Sequence, residues 1–169
     1  MTSFEIEQKY RIKRPGEIRS ILKKIKAKKI AAGKEINEFF DHKGSLRSKK
    51  IALRVRRYDG KSVLTLKGPR LRSAYTKRME LEMSVDYHSI RRILTLSGLK
   101  PFMKYQKFRE LYRLGKADIA LDKLNRFGWF LEIEGTVREI SRIAKALGLK
   151  DSDRERRSYL GMLFNWKCS

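Results

Sequence analysis

Apolar and polar residues alternate one for one in several short runs of this chain, and recur at helical spacing in a few others. In TSFEIEQKYRI, residues 2–12, Phe4, Ile6, Tyr10 and Ile12 share one phase, while Glu5, Glu7, Lys9 and Arg11 share the other. That period of two is the mark of a half-buried β-strand. Pro15 and Gly16 end it, and Ile18, Ile21, Leu22 and Ile25 follow with the spacing of an amphipathic helix. EINEFFDH, residues 35–42, predicts a strand, and KGSLRSKK predicts a basic, flexible loop. In ALRVRRYDGKSVLTLKGP, Asp59-Gly60 signals a two-residue hairpin turn. Pairing outward from it sets Tyr58 opposite Lys61, Arg56 opposite Val63, Arg54 opposite Thr65 and Ala52 opposite Lys67. Leu53, Val55, Leu64 and Leu66 then share one face, and Arg54, Arg56 and Lys67 gather on the other. Like charges so gathered cost stability unless an anion compensates them.

The same pattern returns in TKRMELEMSV, where Arg78, Glu80 and Glu82 alternate with Met79, Leu81, Met83 and Val85. YHSIRRILTLSGL predicts a second amphipathic helix. KFRELYR places Lys107 and Arg109 two apart, IALD sets Asp122 out of phase with Ile119 and Leu121, and FGWFLEIEG sets Glu132 and Glu134 out of phase with Trp129, Leu131 and Ile133. Asp118 is expected in a turn and Arg11 at the rim of the sheet. Two short helices, over about residues 136–148 and 154–164, are expected to close the chain.

About eight strands thus carry a charged row and an apolar row. Either the apolar rows meet inside an ordinary sandwich or barrel, or they face outward against the helices and the charged rows line a barrel interior. The second packing is the expectation, because three helical segments have apolar faces that need a sheet to cover.

Composition narrows the chemistry. At 169 residues the chain fits one domain, and 41% hydrophobic residues suffice for a core. No apolar run approaches the roughly 20 residues that span a membrane, and the N-terminus lacks a signal peptide's apolar segment, so a soluble cytoplasmic protein is expected. The single Cys168 excludes an internal disulfide and a cysteine-based zinc site, and His42 with His88 are too few for a histidine cluster. Any metal must therefore be a hard cation on carboxylates. With 42 Lys and Arg against 19 Asp and Glu, the chain carries +23 and attracts polyanions in general.

Eight motifs, in order, then carry a family resemblance. Glu5-Ile6-Glu7-Gln8-Lys9 matches E-x-E-x-K, and LRVR, LTLKGP, R-x-E-x-E, K-x-R, the aspartate of IALD, FLEIE and SYL at Ser158 to Leu160 follow. Over nearly its whole length the chain resembles the CYTH family, the triphosphate tunnel metalloenzymes, which includes class IV adenylyl cyclases and thiamine triphosphatases. The resemblance implies one α+β domain over residues 1–169, an eight-stranded antiparallel closed β-barrel with amphipathic helices outside, whose lumen holds a triphosphate and divalent cations. Lys9, Arg54, Arg56, Lys67, Arg78, Lys107 and Arg109 are the candidates to bind the phosphates. Glu5, Glu7, Asp122, Glu132, Glu134, Glu80 and Glu82 are the candidates to hold Mg²⁺ or Mn²⁺, with Glu80 and Glu82 equally suited to ion-pairing with the bases. Lys9, Glu5 and Glu7 are the candidate catalytic group. A metal between acids and phosphates explains why both signs of charge share one face.

In INEFFD, Asn37 and Phe39 stand where the family pattern has an aspartate and thiamine triphosphatases carry a tyrosine, which argues against a thiamine triphosphatase relying on that hydroxyl. Three functions follow: a metal-dependent hydrolase of nucleoside or inorganic triphosphates, which is favoured; a class IV adenylyl cyclase releasing cyclic AMP and pyrophosphate from ATP; and a noncatalytic binder of polyanions. The proposed lumen accounts for only about one unit of the +23, so the outer surface adds weak nucleic-acid association as an expectation, and no membrane partner.

Overall fold

The structure is a computed structural model describing residues 3–167; Cys168 lies outside the described residues. Eight strands, β1 (Ser3–Ile12), β2 (Lys28–Asp41), β3 (Ala52–Tyr58), β4 (Lys61–Arg70), β5 (Thr76–Ser84), β6 (Lys100–Leu114), β7 (Ala117–Leu124) and β8 (Gly128–Glu134), close into an antiparallel barrel in the order β1-β5-β4-β3-β2-β6-β7-β8. Among the described residues there are five α-helices: α1 (Pro15–Lys24), α2 (Ser45–Ser48), α3 (Tyr87–Leu96), α4 (Val137–Ala146) and α5 (Tyr159–Lys167).

The apolar rows face outward, against the helices. Ile18 and Leu22 of α1 and Ile140 and Ile143 of α4 pack with Tyr10, Ile119, Leu121, Leu131 and Ile133 of the β1–β8–β7 face. Leu94 of α3 packs with Phe40, Leu53 and Val55. Each fully buried leucine or isoleucine contributes about 1.5–3 kcal/mol, so the core lies between barrel and helices and the lumen is free to be polar. The helices are locally specified. Pro15 opens α1, the Asp86 side chain accepts from Ser89 N at the start of α3, and Thr136 with Glu139 forms a capping box at the start of α4.

The β3–β4 hairpin has the register that Asp59-Gly60 predicts, from Tyr58↔Lys61 to Ala52↔Lys67. Both turn residues have positive φ, 52° and 69°, as a type I′ turn requires.

Four local expectations need correction. β2 starts at Lys28 rather than residue 35, because KKIAAGK pairs with β6 through a bulge between Lys29 and Ala31 that breaks the alternation. The basic loop contains α2, whose first turn is held by Asp41, which accepts from the backbone N–H groups of Leu46 and Arg47. Residues 154–157 are not helical. Arg154 bridges to Tyr10 and Glu155 N donates to Lys9 O, so α5 begins only at Tyr159 after an isolated turn at Asp151–Asp153. Asp118 sits within β7, opposite Arg113 and Glu134, rather than in a turn.

Candidate active site

The charged rows converge on a lumen of about 910 Å³. Of the fourteen candidate site residues, thirteen line it; Asp122 lies directly behind its wall, completely buried. Arg11 continues the inward phase of β1 but runs past the barrel end and pairs with Glu155 at 2.6 Å, outside the lining. Exposed Phe4, Asp59 and Lys61 mark the open mouth. The other end is closed by Ser158, Tyr159 and Leu160 at the start of α5.

One wall is basic. On β3, Arg54 and Arg56 project beside Lys107 and Arg109 of β6. Their compensation comes from behind. Asp122 accepts from Lys107 Nζ at 2.8 Å and from Arg109 Nε and an Arg109 terminal nitrogen, each at 2.7 Å. Glu35, also completely buried, lies 3.3 Å from both cations. Burial opposes the charge of Arg109, but Asp122 and Glu35 outweigh it and hold its pKa well above the ordinary value. Arg56 is held less firmly: burial and the Arg54 charge lower its pKa, and among the described residues Glu82 at 3.3 Å is its only paired carboxylate. The anions that relieve the like-charge face of the hairpin are therefore the protein's own.

The opposite wall, from β1, β5 and β8, is acidic. Lys67 bridges Glu5 at 2.7 Å and Glu80 at 2.8 Å. Burial pushes both carboxyls up, but a hydrogen bond from Glu80 and the Lys67 and Arg78 charges bring Glu5 down to about 2, while Glu80 rises to about 8. Glu132 is tied to Lys9 at 3.2 Å and Arg109 at 2.7 Å; those charges overcome its burial and hold it well below the carboxylate range. Glu7 and Glu134 differ. They face each other across β1 and β8, and Glu7 has only an Arg78 contact at 3.5 Å. Burial first, then neighbouring carboxylates, raises Glu7 and pushes Glu134 up to about 7.

One contributor, Glu35, carried no usable sequence signal. Glu35 and Asn37 lie on the inward phase of β2, where Asn37 donates to Glu35 at 2.9 Å and accepts from Arg54 at 3.3 Å. Glu35 is one of three acids in EINEFFD, and nothing in the run marks it for that role. Tyr159 both closes the lumen and anchors α5: its hydroxyl donates to Asp122 at 2.8 Å, and Lys9 Nζ lies 3.9 Å from its ring centroid. Phe39, in the position singled out in INEFFD, lines the lumen stacked on Tyr105, with centroids 6.0 Å apart.

The donor set suits a hard cation. Among the described residues no three carboxylates converge as a ready-made cage. Mg²⁺, however, is commonly held by one or two carboxylates completed by water and substrate phosphates. Glu7 and Glu134, opposed across β1 and β8 and thinly compensated, offer such a pair, with Glu5 adjacent. Asp122 and Glu82 are already committed to cations and hydroxyls.

Comparison with known proteins agrees with this architecture. The CYTH domain profile matches residues 3–159. A Methanocaldococcus jannaschii protein named as a candidate adenylate cyclase is 29% identical over 92% of this chain and 96% of its own. A solved structure from Vibrio parahaemolyticus, described as a candidate adenylate cyclase, superposes with TM-score 0.86 at 25% identity, covering 97% of this chain and 99% of that one. A candidate adenylyl cyclase from Hippeastrum, described as having a dominant triphosphatase activity, shares the fold with TM-score 0.72 at 20% identity over 98% and 96% of the two chains. The closed barrel, its inward charged rows and the profile match together place this chain in the CYTH domain family.

Proposed function

We propose that the protein is a divalent-metal-dependent enzyme that hydrolyses a linear triphosphate, free or in a nucleotide. The observation that carries this is the segregation of charge in a lumen that is nearly neutral as a whole. Nine bases and eight acids line it, and Glu35 and Asp122 behind the wall bring the acids to ten. A polyanion entering alone finds no net attraction there; a polyanion with a divalent cation finds a basic wall for one and an acidic wall for the other.

On this reading Arg54, Arg56, Lys107 and Arg109 grip the phosphate oxygens, and Asp122 and Glu35 fix the last two in place. Glu7 and Glu134 hold Mg²⁺ or Mn²⁺, which supplies charge neutralisation and orients the attacking oxygen. Lys9, fixed by Glu132 and the Arg157 carbonyl at 3.1 Å, contacts a phosphate near the closed end. Hydrolysis breaks a P–O bond to the departing phosphate while water oxygen bonds to phosphorus, and the water proton passes to a phosphate oxygen of the products.

The names of the relatives favour a second reading, adenylate cyclisation. One experiment separates them: incubation with ATP, GTP, tripolyphosphate and thiamine triphosphate, with Mg²⁺ or Mn²⁺, followed by separation of products. Orthophosphate is expected. Cyclic AMP with pyrophosphate establishes the cyclase instead, and tight binding without turnover refutes both.

A further inference from the structure

The lumen leaves nearly all of the +23 on the outside of the molecule, and part of it is organised. On the outer face of four adjacent strands, one row runs across the sheet. Lys34 of β2 is in register with Phe108 of β6, Phe108 with Lys123 of β7, and Lys123 with Trp129 of β8. Cation and aromatic therefore alternate at the spacing of neighbouring strands, about 4.8 Å. Phe108 is 43% exposed and Lys34 and Lys123 are exposed. Lys123 Nζ lies 5.8 Å from the Trp129 ring centroid, and the Arg19 guanidinium from α1 covers that ring at 4.8 Å.

The helices leave Lys34, Phe108 and Lys123 of this row exposed, with Trp129 half-buried at the edge of the α1 and α4 core that covers the rest of β7 and β8; the α3 core lies on β3, β4 and Phe40 of β2. The nearby acids are spent. Glu110 is buried beneath Arg19, Lys29 and Tyr112, and Glu38 is buried against Arg91 and Tyr87. Among the described residues, Lys34 and Lys123 have no carboxylate partner.

An exposed phenyl flanked in register by two uncompensated lysines, and continued by a guanidinium lying on an indole, has the parts that grip an unpaired strand. Bases stack on an aromatic face while cations meet the phosphates. We propose that the outer β2–β6–β7–β8 face binds single-stranded nucleic acid, with a base on Phe108 and phosphates at Lys34 and Lys123. Recognition is by stacking and charge and carries little sequence preference. A duplex hides its base faces and gains only the charge contribution. The surface is separate from the lumen and stands whatever reaction the lumen performs.

The test is fluorescence anisotropy of an oligouridylate of about 12 nucleotides, with a 5′-hydroxyl and a 3′-fluorophore, in the presence of chelator, which removes the cation that draws a polyanion into the lumen. Phe108→Leu, which keeps apolar bulk and removes the ring, is expected to weaken binding about fivefold or more, and Phe108→Tyr to retain it. Lys34→Gln with Lys123→Gln is expected to lower the slope of log affinity against log salt by about 1.4, two phosphates at about 0.7 each. Melting temperature and tripolyphosphate affinity, unchanged in all three, report an intact fold. The proposal is overturned if the wild type does not bind the oligonucleotide or if Phe108→Leu binds as the wild type does. It is equally overturned if Lys145→Gln with Lys150→Gln, remote from the row, weakens binding as much as the row variants. Loss of binding to phosphatidylglycerol vesicles, with oligonucleotide affinity unaltered, assigns the face to a lipid surface and also overturns it.

Discussion

Replacing Glu134 by Gln is expected to stabilise the metal-free protein while abolishing its metal-dependent turnover. Burial and the Glu5 and Glu7 charges push the Glu134 carboxyl from 4.5 to about 7. A folded-state pKa above the unfolded one means the native state binds the proton more tightly. Stability is then lost as pH rises from about 4.5, and the loss is complete above about 7. A shift of that size corresponds to about 3 kcal/mol for a group shut off from water, at 1.36 kcal/mol per pKa unit; Glu134 is exposed, and solvent screening brings the effect to about 1–1.5 kcal/mol. Gln has similar volume and no charge to desolvate, so Glu134→Gln removes that destabilisation. In chelator at pH 8 its melting temperature is expected to rise by roughly 2–6 °C, at 2–4 °C per kcal/mol for a chain of this size. Near pH 4.5 the gain disappears. Added Mg²⁺ is expected to raise the wild-type melting temperature and to leave that of the variant nearly unmoved, because the cation neutralises the repulsion that the variant lacks. Differential scanning calorimetry at both pH values, with and without metal, reads all of this. A variant melting at or below the wild type at pH 8 in chelator refutes the reasoning, since Glu134 is then not a repelled carboxylate facing the lumen.

Arg54→Ala is expected to weaken triphosphate binding roughly 10- to 100-fold by calorimetry, the loss of a charge-assisted contact worth about 1.5–3 kcal/mol, with the fold retained. Lys67→Ala weakens binding too, but it also lowers stability in urea denaturation, because it leaves Glu5 and Glu80 facing each other without their shared cation. Asp122→Asn, which uncouples Lys107, Arg109 and Tyr159 from a completely buried anchor, is expected to cost about 3 kcal/mol in the same assay and to raise KM. Glu132→Gln combined with Glu134→Gln is expected to abolish turnover without weakening metal-free triphosphate binding in chelator; full turnover in that variant removes both glutamates from the site.

How much was legible depended on whether a signal was local. The register of β3 and β4 follows from Asp59-Gly60 alone, and the inward phase of Glu5, Glu7, Lys9, Arg78, Glu132 and Glu134 follows from strict alternation within single strands. The N-terminal half of β2 was hidden because its bulge shifts the phase between Lys29 and Ala31, and alternation is the only pattern a strand offers to a sequence reader. Asp118 was misplaced because its strand begins earlier than its apolar run suggests, whereas Arg11, expected at the rim, does lie past the barrel wall. Ion-pair partners were the least legible. That Glu35 sits behind Lys107 and Arg109, or that Asp122 serves Tyr159 as well as two cations, depends on contacts between strands and a terminal helix far apart in sequence. A list of inward charges cannot say which are already spent.

That distinction decides what the lumen can attract. If the inward bases were free, the cavity would draw any polyanion, and a metal would be an accessory. They are not free. Arg109 contacts three carboxylates and Lys67 two, so an incoming phosphate must loosen existing ion pairs before it gains new ones. The gain is largest where compensation is thinnest, at Arg56 on one wall and at the Glu7–Glu134 pair on the other. A phosphate settles the first and a divalent cation the second, and each lowers the cost of the other because they lie across one low-dielectric space. Binding of metal and triphosphate is therefore expected to be mutually reinforcing, and by linkage the factor by which metal tightens triphosphate equals the factor by which triphosphate tightens metal. Titrating each in the presence and absence of the other measures both factors. Independent binding would mean that the two walls do not act on one ligand pair.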